Sequence, residues 1–597
     1  MFLSNIKYFD QVLTFLVFIT LVSLPAIEVI SRLFNSTGVV ASPVLVQHLT
    51  LWVGFLGAII ASRRNNLLSL TTKPIFTNIE TIEWKNFVGK ITSIFIVLLL
   101  AYGSWSLVKV EMEYPINIAP FILRWAAQMI MPIGFLFIAF FMFINSFRSA
   151  KEKLRVLTLI ILLFSLFIYF EPIQESIFFM WISIFIIILS LYAGAPIFIG
   201  LGGLAILFFW RDFTPLSAIS AETYRIVVSP TLPTIPLFTF AGYMLAESNA
   251  STRLVNLFRS AFGWIPGGTP IILVLLCGFF TALTGGSGVT ILALGGLFLP
   301  ILLKEGYTKV FSLGLITVAG SLGLLFPPSL PLIIYGVTAG VSIKAIFLAG
   351  IVPGLLRLSM IGGWAIWQGK IQSVKKRSLS FKELKESLWE AKWETMIPVF
   401  ILFGIFGGYS TLVETAALTA IYIFIVEILI HKDIKWSDIY KITLDCASLI
   451  GGVLIILGVA MGLTSYLVDA QVPFHLLEWV KATISSKLLF LLILNIFLLA
   501  VGCMMDIFSA IIIVVPLITP LGIYFGIDPV HLAIIFIANL ELGFLTPPVG
   551  MNLFLSAYRF KEDMPTIYKS TLPFFIVMLI SVLIITYIPF LSTWSLN

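Results

Sequence analysis

Long apolar runs separated by short polar turns recur along the whole chain. The clearest are Ile91–Val108, Val156–Tyr169, Ile177–Tyr192, Leu488–Val501 and Phe574–Ile588. They approach or reach the helix length that spans roughly 30 Å of hydrocarbon at about 1.5 Å per residue. About sixteen such segments can be counted, and Pro or Gly breaks several of them. The pattern predicts an all-α polytopic membrane protein.

Two apolar stretches end in the same signature, Leu322–Pro328 and Leu542–Pro548, with Pro327 and Pro547 separated by 547 − 327 = 220 residues. The same offset, without a gap, relates seven further pairs: Gly242 with Gly462, Ile291 with Ile511, Leu297 with Leu517, Pro300 with Pro520, Gly306 with Gly526, Val310 with Val530 and Pro353 with Pro573. Accidental similarity of apolar stretches is the alternative, but it does not readily produce coinciding helix breakers. The offset therefore predicts an internal duplication.

Composition places the chain in a bilayer. It is 59% hydrophobic and 11% charged, with a mean hydropathy of +1.08, which leaves too little polar surface to cover a soluble globule of 597 residues. Cys277, Cys446 and Cys503 lie in or beside apolar segments, so neither a disulfide framework nor a metal cluster is implied. Residues 1–30 lack a small-residue cleavage site and predict a retained first helix.

The net charge of +7 does not indicate a nucleic-acid partner, because Lys and Arg occur in short clusters between apolar segments. These clusters are Arg63-Arg64, Arg148–Arg155, Lys370–Lys392 and Lys432–Lys441. Such clusters are typical of cytoplasmic loops. We therefore expect a cytoplasmic N-terminus.

Five regions are predicted along the chain. Residues 1–150 form a small module of about four helices, and residues 151–177 add a linking transmembrane segment. Residues 178–367 and 395–597 are the two repeats. Residues 368–394, with charges of alternating sign, form a cytoplasmic connector that could include a surface helix.

The turns of the two repeats differ in charge. The turn after Pro300 carries Lys304 and Lys309, whereas its counterpart, Gly522–His531, carries neither Lys nor Arg. Equivalent loops therefore prefer opposite sides of the membrane. This predicts inverted-topology repeats, which are typical of alternating-access transporters.

Two polar interruptions fall at equivalent places in the repeats. The first is Thr281–Thr290, where glycines permit a tight reversal and hydroxyl groups add neutral oxygen ligands. The second is Gly502–Asp506, where a carboxylate stands between apolar runs. An acid at membrane depth is a functional candidate by default, although Asp506 could also be the N-cap of the next helix.

The Pro-Pro signatures are the second kind of interruption. Consecutive prolines break a helix and free backbone carbonyls, which cost several kcal/mol each in hydrocarbon unless they are satisfied. Hydroxyl and amide groups next to both signatures add oxygen ligands; they belong to Ser329, Asn539, Thr546 and Asn552. A hard cation such as sodium prefers these oxygens, and half-helix N-termini favour an anionic substrate.

Other ionisable residues are weaker candidates. Glu414 could be either a helix-terminal acid or part of the site, and Glu541 stands alone between Asn539 and Gly543. The region around Gly369-Lys370 lacks the remaining residues of a phosphate-binding loop, so the chain is not expected to be driven by ATP on its own.

At these motifs the chain resembles a known family. The runs Gly285–Thr290, Leu322–Val337, Phe347–Gly354 and Asn539–Asn552 closely resemble the large membrane subunit of tripartite ATP-independent periplasmic (TRAP) transporters. Residues 1–150 resemble the small membrane subunit through their topology, Glu28–Arg32 and Arg63-Arg64. The resemblance indicates a natural fusion of the two subunits.

The resemblance implies a sodium-driven importer of organic acids, such as C4-dicarboxylates or sialic acid, in the bacterial inner membrane. It further implies an elevator motion, a separate periplasmic substrate-binding protein, and a fused permease that we expect to be monomeric. Carried onto this sequence, sodium would be held around Thr284, Gly286, Ser287, Phe326, Pro327, Asp506, Thr546 and Pro547. Substrate would be held around Thr290, Ser329, Asn539, Gly550 and Asn552.

Two departures and three alternatives remain. An acidic pair common in the small subunit is replaced by Gln47-His48, and a common Pro is replaced by Val413.

A standalone sodium/carboxylate symporter would need no binding protein, but the N-terminal module argues against it. A polytopic membrane enzyme would need clustered catalytic groups, whereas Asp506, Glu414 and Glu541 lie far apart in the sequence. A channel is disfavoured because duplicated hairpins suit occlusion better than a permanent pore.

Overall fold

The computed structural model is almost wholly helical. It describes every residue except 1, 35–37, 70–78, 121, 148, 170–173, 175, 266–267, 372–379, 548–549 and 595–597. The helices up to the connector are Phe2–Leu33, Ser42–Arg63, Ile79–Glu113, Arg124–Gln128, Ile130–Ser146, Ala150–Tyr169, Ile177–Tyr192, Ile197–Arg211, Ser217–Val227, Thr234–Glu247, Ala250–Phe262, Gly268–Thr284, Ser287–Glu305, Lys309–Ala319, Leu330–Ala339 and Ile343–Ile371.

The remaining helices follow from the connector to the C-terminus. They are Phe381–Glu390, Lys392–Phe406, Leu412–Phe424 continued by a π-helical turn Ile425–Ile430, Trp436–Asp469, Val472–Thr483, Lys487–Met504, Ile507–Tyr524, Pro529–Gly543, Met551–Phe560, Met564–Tyr587 and Phe590–Thr593. Strands Asn117–Ala119 and Ile122–Leu123 form a small antiparallel pair. In the connector, Phe381–Glu390 has no buried residue.

Apolar helices dominate the described part of the chain. Ten are long and apolar enough to cross a membrane, and six more are shorter apolar helices. Together they agree with the predicted number of segments, and the all-α polytopic prediction is confirmed. The chain is a multi-pass membrane protein.

The described residues form two compact units that do not follow chain order. One comprises residues 1–236 and 443–474, and the other comprises residues 237–442 and 475–597. The five regions predicted from the sequence remain a prediction about the organisation of the chain.

Close backbone contact joins distant parts of the chain in the first unit. A methyl carbon on Gly57 would lie 1.9 Å from the carbonyl oxygen of Ala447, and one on Gly451 would lie 2.1 Å from the backbone nitrogen of Ala58. Small residues permit this approach between apolar helices. Arg64 forms an ion pair with Asp445 at the same helix pair.

A polar contact also replaces the acidic pair that the resemblance led us to expect at Gln47-His48. His48 Nδ1 lies 2.7 Å from the carbonyl oxygen of Val44, and its Nε2 lies 2.8 Å from the Tyr224 hydroxyl. Because a carbonyl can only accept, Nδ1 donates to Val44 when the imidazole is neutral, and Nε2 then accepts from Tyr224. His48 is therefore an internal contact of the first unit.

In the second unit the repeats are visible as helix boundaries. Equivalent helices begin 219 to 221 residues apart, close to the 220-residue offset of the sequence. The pairs of first residues are Gly268 and Lys487, Ser287 and Ile507, Lys309 and Pro529, Leu330 and Met551, and Ile343 and Met564. The duplication thus extends to secondary structure.

One arginine binds three acids in this unit. Arg253 donates to Glu394 (2.5 Å), Asp433 (2.6 Å) and Glu427 (2.8 Å). Burial alone would raise the pKa of the Asp433 carboxyl, but hydrogen bonds from Arg253 and Asn249 hold that pKa below its usual range. The cluster ties Ala250–Phe262 to Lys392–Phe406 and to the end of the π-helical turn.

We expect Gly451→Ala to destabilise the protein, because its new methyl group would meet the backbone of Ala58. Overpacking of this kind costs on the order of 1–3 kcal/mol. Gly452→Ala is the matched control, since its methyl group would make only an ordinary contact at 3.7 Å with Leu68. Thermal unfolding in detergent compares the two variants, and equal unfolding temperatures would contradict the prediction.

Candidate cation and substrate site

The first predicted interruption is present as a helical hairpin tip. Helix Gly268–Thr284 ends one residue before Gly285, which has a φ of +68°. Glycine adopts this left-handed conformation at little cost. After Gly286, helix Ser287–Glu305 begins without a side-chain cap.

The first Pro-Pro signature lies in a stretch without an α-helix, residues 320–329. A methyl carbon on Gly285 would lie 2.4 Å from Cβ of Leu330, so the hairpin tip contacts the residue after this loop. Phe326 and Pro327 are both partly exposed. The hairpin tip therefore packs against the start of the helix that follows the loop.

Four buried oxygens around this tip have no hydrogen-bond partner in the structure. They are Thr284 Oγ1, Ser287 Oγ, Ser329 Oγ and Asn552 Oδ1. Asn552 belongs to the second repeat, and its amide nitrogen donates to the carbonyl of Thr317 (3.2 Å). Leaving such groups unsatisfied costs about 1–3 kcal/mol each, so these oxygens are candidates for contact with a ligand.

The second hairpin tip is built around Asp506. Its carboxylate accepts hydrogen bonds from the backbone nitrogens of Phe508 (3.0 Å) and Ser509 (3.2 Å), and from the Ser509 hydroxyl (2.5 Å). The N-cap interpretation is thus the observed geometry. A carboxylate has about four lone-pair positions, so these bonds leave acceptor capacity for a cation.

The second loop follows the same plan. The backbone nitrogen of Gly550 donates to the carbonyl of Cys503 (3.1 Å), which joins the loop to the hairpin tip. The Thr546 hydroxyl donates to the carbonyl of Leu542 (3.0 Å), and Pro547 is exposed. Pro548, the last residue of the signature, lies outside the described residues.

Equivalent contacts seat both loops against their hairpins. A methyl carbon on Gly323 would lie 2.7 Å from the backbone nitrogen of Ala282, and one on Gly543 would lie 2.6 Å from Cα of Gly502. Gly323 and Gly543 are 220 residues apart, and so are their partners Ala282 and Gly502. The duplication therefore reaches the packing at the candidate site.

A cavity of about 240 Å³ adjoins each loop. The first is apolar and includes Phe326, Pro327 and Ile351 in its lining. The second includes the equivalent positions Thr546, Pro547 and Thr571 together with Lys569. Both cavities have similar volume and a mainly apolar surface, and the second adds one charged side chain, Lys569.

Other predicted residues are committed to internal hydrogen bonds. Thr281 Oγ1 lies 2.7 Å from Thr290 Oγ1 and donates to the carbonyl of Gly320 (2.8 Å), so Thr290 must be the donor of the first bond. Asn539 donates to the side-chain oxygen of Asn495 (2.6 Å). The substrate roles of Thr290 and Asn539 stay predictions.

Glu414 has a capping role in the structure. The Thr411 hydroxyl accepts from its backbone nitrogen (3.3 Å), while its carboxylate accepts from the Thr411 backbone nitrogen (2.8 Å). This is a capping box at the start of Leu412–Phe424. Of the two interpretations of Glu414, the helix-terminal acid matches this geometry.

Sequence reasoning missed Arg357. It is fully buried and forms an ion pair with Glu541, which is also fully buried. A signal existed, because Arg357 is the one charged residue in the sequence between Lys344 and Lys370. An isolated charge within an apolar helix points to function or to a buried partner.

We expect Thr281→Val to lower the free energy of unfolding by about 1–3 kcal/mol, because Thr290 and the carbonyl of Gly320 lose their buried partner. Thr419→Val is the matched control, since the equally buried Thr419 hydroxyl bonds to a carbonyl of its own helix. Thermal unfolding should separate the variants. An unchanged unfolding temperature for Thr281→Val would remove this hydroxyl from the support of the tip.

Comparison with known proteins gives a consistent result. The family described as "Tripartite ATP-independent periplasmic transporter, DctM component" matches residues 182–591. The match to the solved structure of the Alcanivorax borkumensis YdaH transporter covers 63% of this chain and 88% of that chain, with a TM-score of 0.47 and 14% identity.

Two relatives define the extent of the match. The isethionate TRAP transporter permease protein DctMQ of Oleidesulfovibrio alaskensis is 29% identical over 91% of this chain and 87% of its own length. The C4-dicarboxylate TRAP transporter large permease protein DctM of Vibrio cholerae is 33% identical over 69% of this chain and 96% of its own. These relatives are transporter permeases, not enzymes. The chain belongs to the DctM family of TRAP transporter permeases, with the small and large membrane subunits fused.

Proposed function

We propose that this chain carries out sodium-coupled secondary import of a small organic acid, by elevator-type alternating access. A periplasmic substrate-binding protein delivers the substrate. Membership of a permease family supports transport itself. The coupling ion and the class of substrate are proposed from the site, and the elevator motion is proposed from the resemblance to the family.

The unpartnered oxygens carry the sodium proposal. Thr284, Ser287 and Ser329 each offer a buried hydroxyl oxygen without a partner, and Asp506 offers a carboxylate at the equivalent tip of the second repeat. Neutral and anionic oxygens at broken helices are the donor set that discontinuous-helix transporters use for sodium. We expect the site with Asp506 to bind the cation more strongly, because it adds a formal charge.

Uncapped helix ends support an anionic substrate. Helices Leu330–Ala339 and Met551–Phe560 begin after Ser329 and Gly550, and neither has a side-chain cap. Their first backbone N–H groups and the positive ends of their dipoles suit a carboxylate or a similar anion. The absence of a side-chain cap, in contrast with Asp506, which caps its own helix, supports anion binding at these two ends.

The substrate belongs to the class of small organic acids. Relatives are named for isethionate and C4-dicarboxylate, and a Ruegeria pomeroyi relative is named for ectoine and 5-hydroxyectoine. We therefore propose a carboxylate, with C4-dicarboxylates and sialic acid among the candidates, and include sulfonates such as isethionate. The residues that we propose as the main substrate ligands are Ser329, Gly550 and Asn552.

Location and assembly follow from the same proposal. The protein resides in the bacterial inner membrane with its N-terminus in the cytoplasm, which is consistent with the basic clusters of the sequence. It functions as a fused monomer.

We expect Asp506→Asn to weaken sodium binding by about tenfold or more, since a charged ligand becomes neutral while the cap is retained. Sodium chloride, compared with choline chloride at equal ionic strength, should raise the unfolding temperature of the wild type through binding to the folded state. Asp528→Asn is the matched control, because Asp528 accepts from two backbone nitrogens in the same way but is exposed. An equal sodium response in both variants would exclude Asp506 from the ion site.

We expect uptake to need both a sodium gradient and the binding protein. Proteoliposomes containing the chain should accumulate radiolabelled succinate or isethionate only when sodium is high outside and a substrate-binding protein from the same organism is added. Equal uptake without the binding protein would favour the standalone symporter. Equal uptake without sodium would overturn the coupling.

A further inference from the structure

The buried ion pair between Arg357 and Glu541 lies outside the oxygens proposed to bind sodium. Neither side chain is exposed. Arg357 also donates from Nη2 to the carbonyl of Ala538 (2.8 Å) and from Nε to the Ser581 hydroxyl (3.2 Å). The Arg357 guanidinium thus makes two contacts with the last turns of helix Pro529–Gly543 and one contact with helix Met564–Tyr587.

Stability alone does not account for this pair. Removing two charges from water is costly, and an apolar pair of similar volume is often as stable or more stable. One carboxylate oxygen of Glu541, Oε1, also has no partner. Because the pair is costly to bury and leaves one carboxylate oxygen without a hydrogen bond, we look for its role in holding the helices that carry it in position.

One end of the pair supports the first loop. Arg357 lies on helix Ile343–Ile371, one turn beyond Gly354. A methyl carbon on Gly354 would lie 2.7 Å from the ring of Phe326, and one on Gly350 would lie 2.2 Å from the carbonyl oxygen of Leu325. The first loop therefore rests directly on the helix that carries Arg357.

The other end leads into the second loop. Glu541 lies in the final turn of Pro529–Gly543, and the Thr546 hydroxyl donates to the carbonyl of Leu542 beside it. Gly543, two residues after Glu541, contacts the second hairpin at Gly502. Displacement of Glu541 would therefore shift the second loop and its hairpin contact.

The pair joins the two repeats, and the duplication supplies no second pair equivalent to it. By the 220-residue offset, the residue equivalent to Arg357 is Val577, and the residue equivalent to Glu541 is Ser321. Ser321 donates to the carbonyl of Val318 in its own segment (3.3 Å). A single charge pair thus connects the helix that supports the first loop with the helix that leads into the second loop.

We propose that Arg357 and Glu541 form a positioning strap that fixes the two Pro-Pro loops relative to each other. The strap sets the geometry of the ion sites without contacting the ion. The expected effect of the strap on sodium binding rests on the proposed function, whereas its expected effect on the conformational order of the two loops does not.

The double variant Arg357→Met/Glu541→Leu tests the strap, because it removes both charges and leaves none unpaired. We expect an unfolding temperature close to that of the wild type and about tenfold weaker binding of radioactive sodium, as follows when ligands lose their fixed geometry. Val577→Met, at the equivalent position of the other half, should leave sodium binding unchanged. Arg357→Met alone leaves a buried carboxylate unpaired, and we expect a low folded yield.

Hydrogen exchange in sodium-free buffer supplies a second readout. Backbone amides at 323–326 and 544–546 should exchange faster in the double variant than in the wild type and in Val577→Met. Unchanged exchange and unchanged sodium binding would overturn the strap. If the wild type binds no sodium, the proposed coupling fails, and the exchange rates alone decide the strap.

Discussion

Interruption of a helix in an apolar surrounding governs the structure around the candidate site. Every freed N–H and C=O group there must find a partner, because hydrocarbon offers none. The second tip meets this demand internally through the carboxylate of Asp506 and the bond from Gly550 to Cys503. The first tip leaves the hydroxyl oxygens of Thr284 and Ser287 unpartnered. The two tips therefore differ in how far their polar groups are satisfied within the protein.

The two repeats are similar in backbone and unequal in chemistry. Gly323 and Gly543 seat the loops in equivalent ways, and adjoining cavities use equivalent positions. By contrast, the carboxylate of Asp506 stands where the first repeat has Gly286, and the pair Arg357–Glu541 joins the two repeats without a second, equivalent pair. Duplication conserves how segments pack because backbone contacts tolerate few changes, whereas polar side chains can diverge to give two different sites.

Close packing of small residues also joins helix Ser42–Arg63 to helix Trp436–Asp469 within the first unit. Between apolar helices there is little hydrophobic drive to associate, so close approach and polar contacts provide the specificity. Gly57 and Gly451 supply the approach, and Arg64 with Asp445 supplies the polar contact. A fused chain keeps these surfaces at high effective concentration.

The sequence by itself determined the helical membrane fold, the repeat offset and the helix breaks at Gly285-Gly286 and before Asp506. These features are local, because helix length, Pro and Gly positions and caps depend on neighbouring residues. Only the tertiary structure decided which oxygens lack partners, that Thr290 and Asn539 are already hydrogen-bonded, and that Arg357 reaches Glu541 across 184 residues. Such pairings depend on how distant helices pack, and a hydrophobic pattern gives the face of each helix but not its partner.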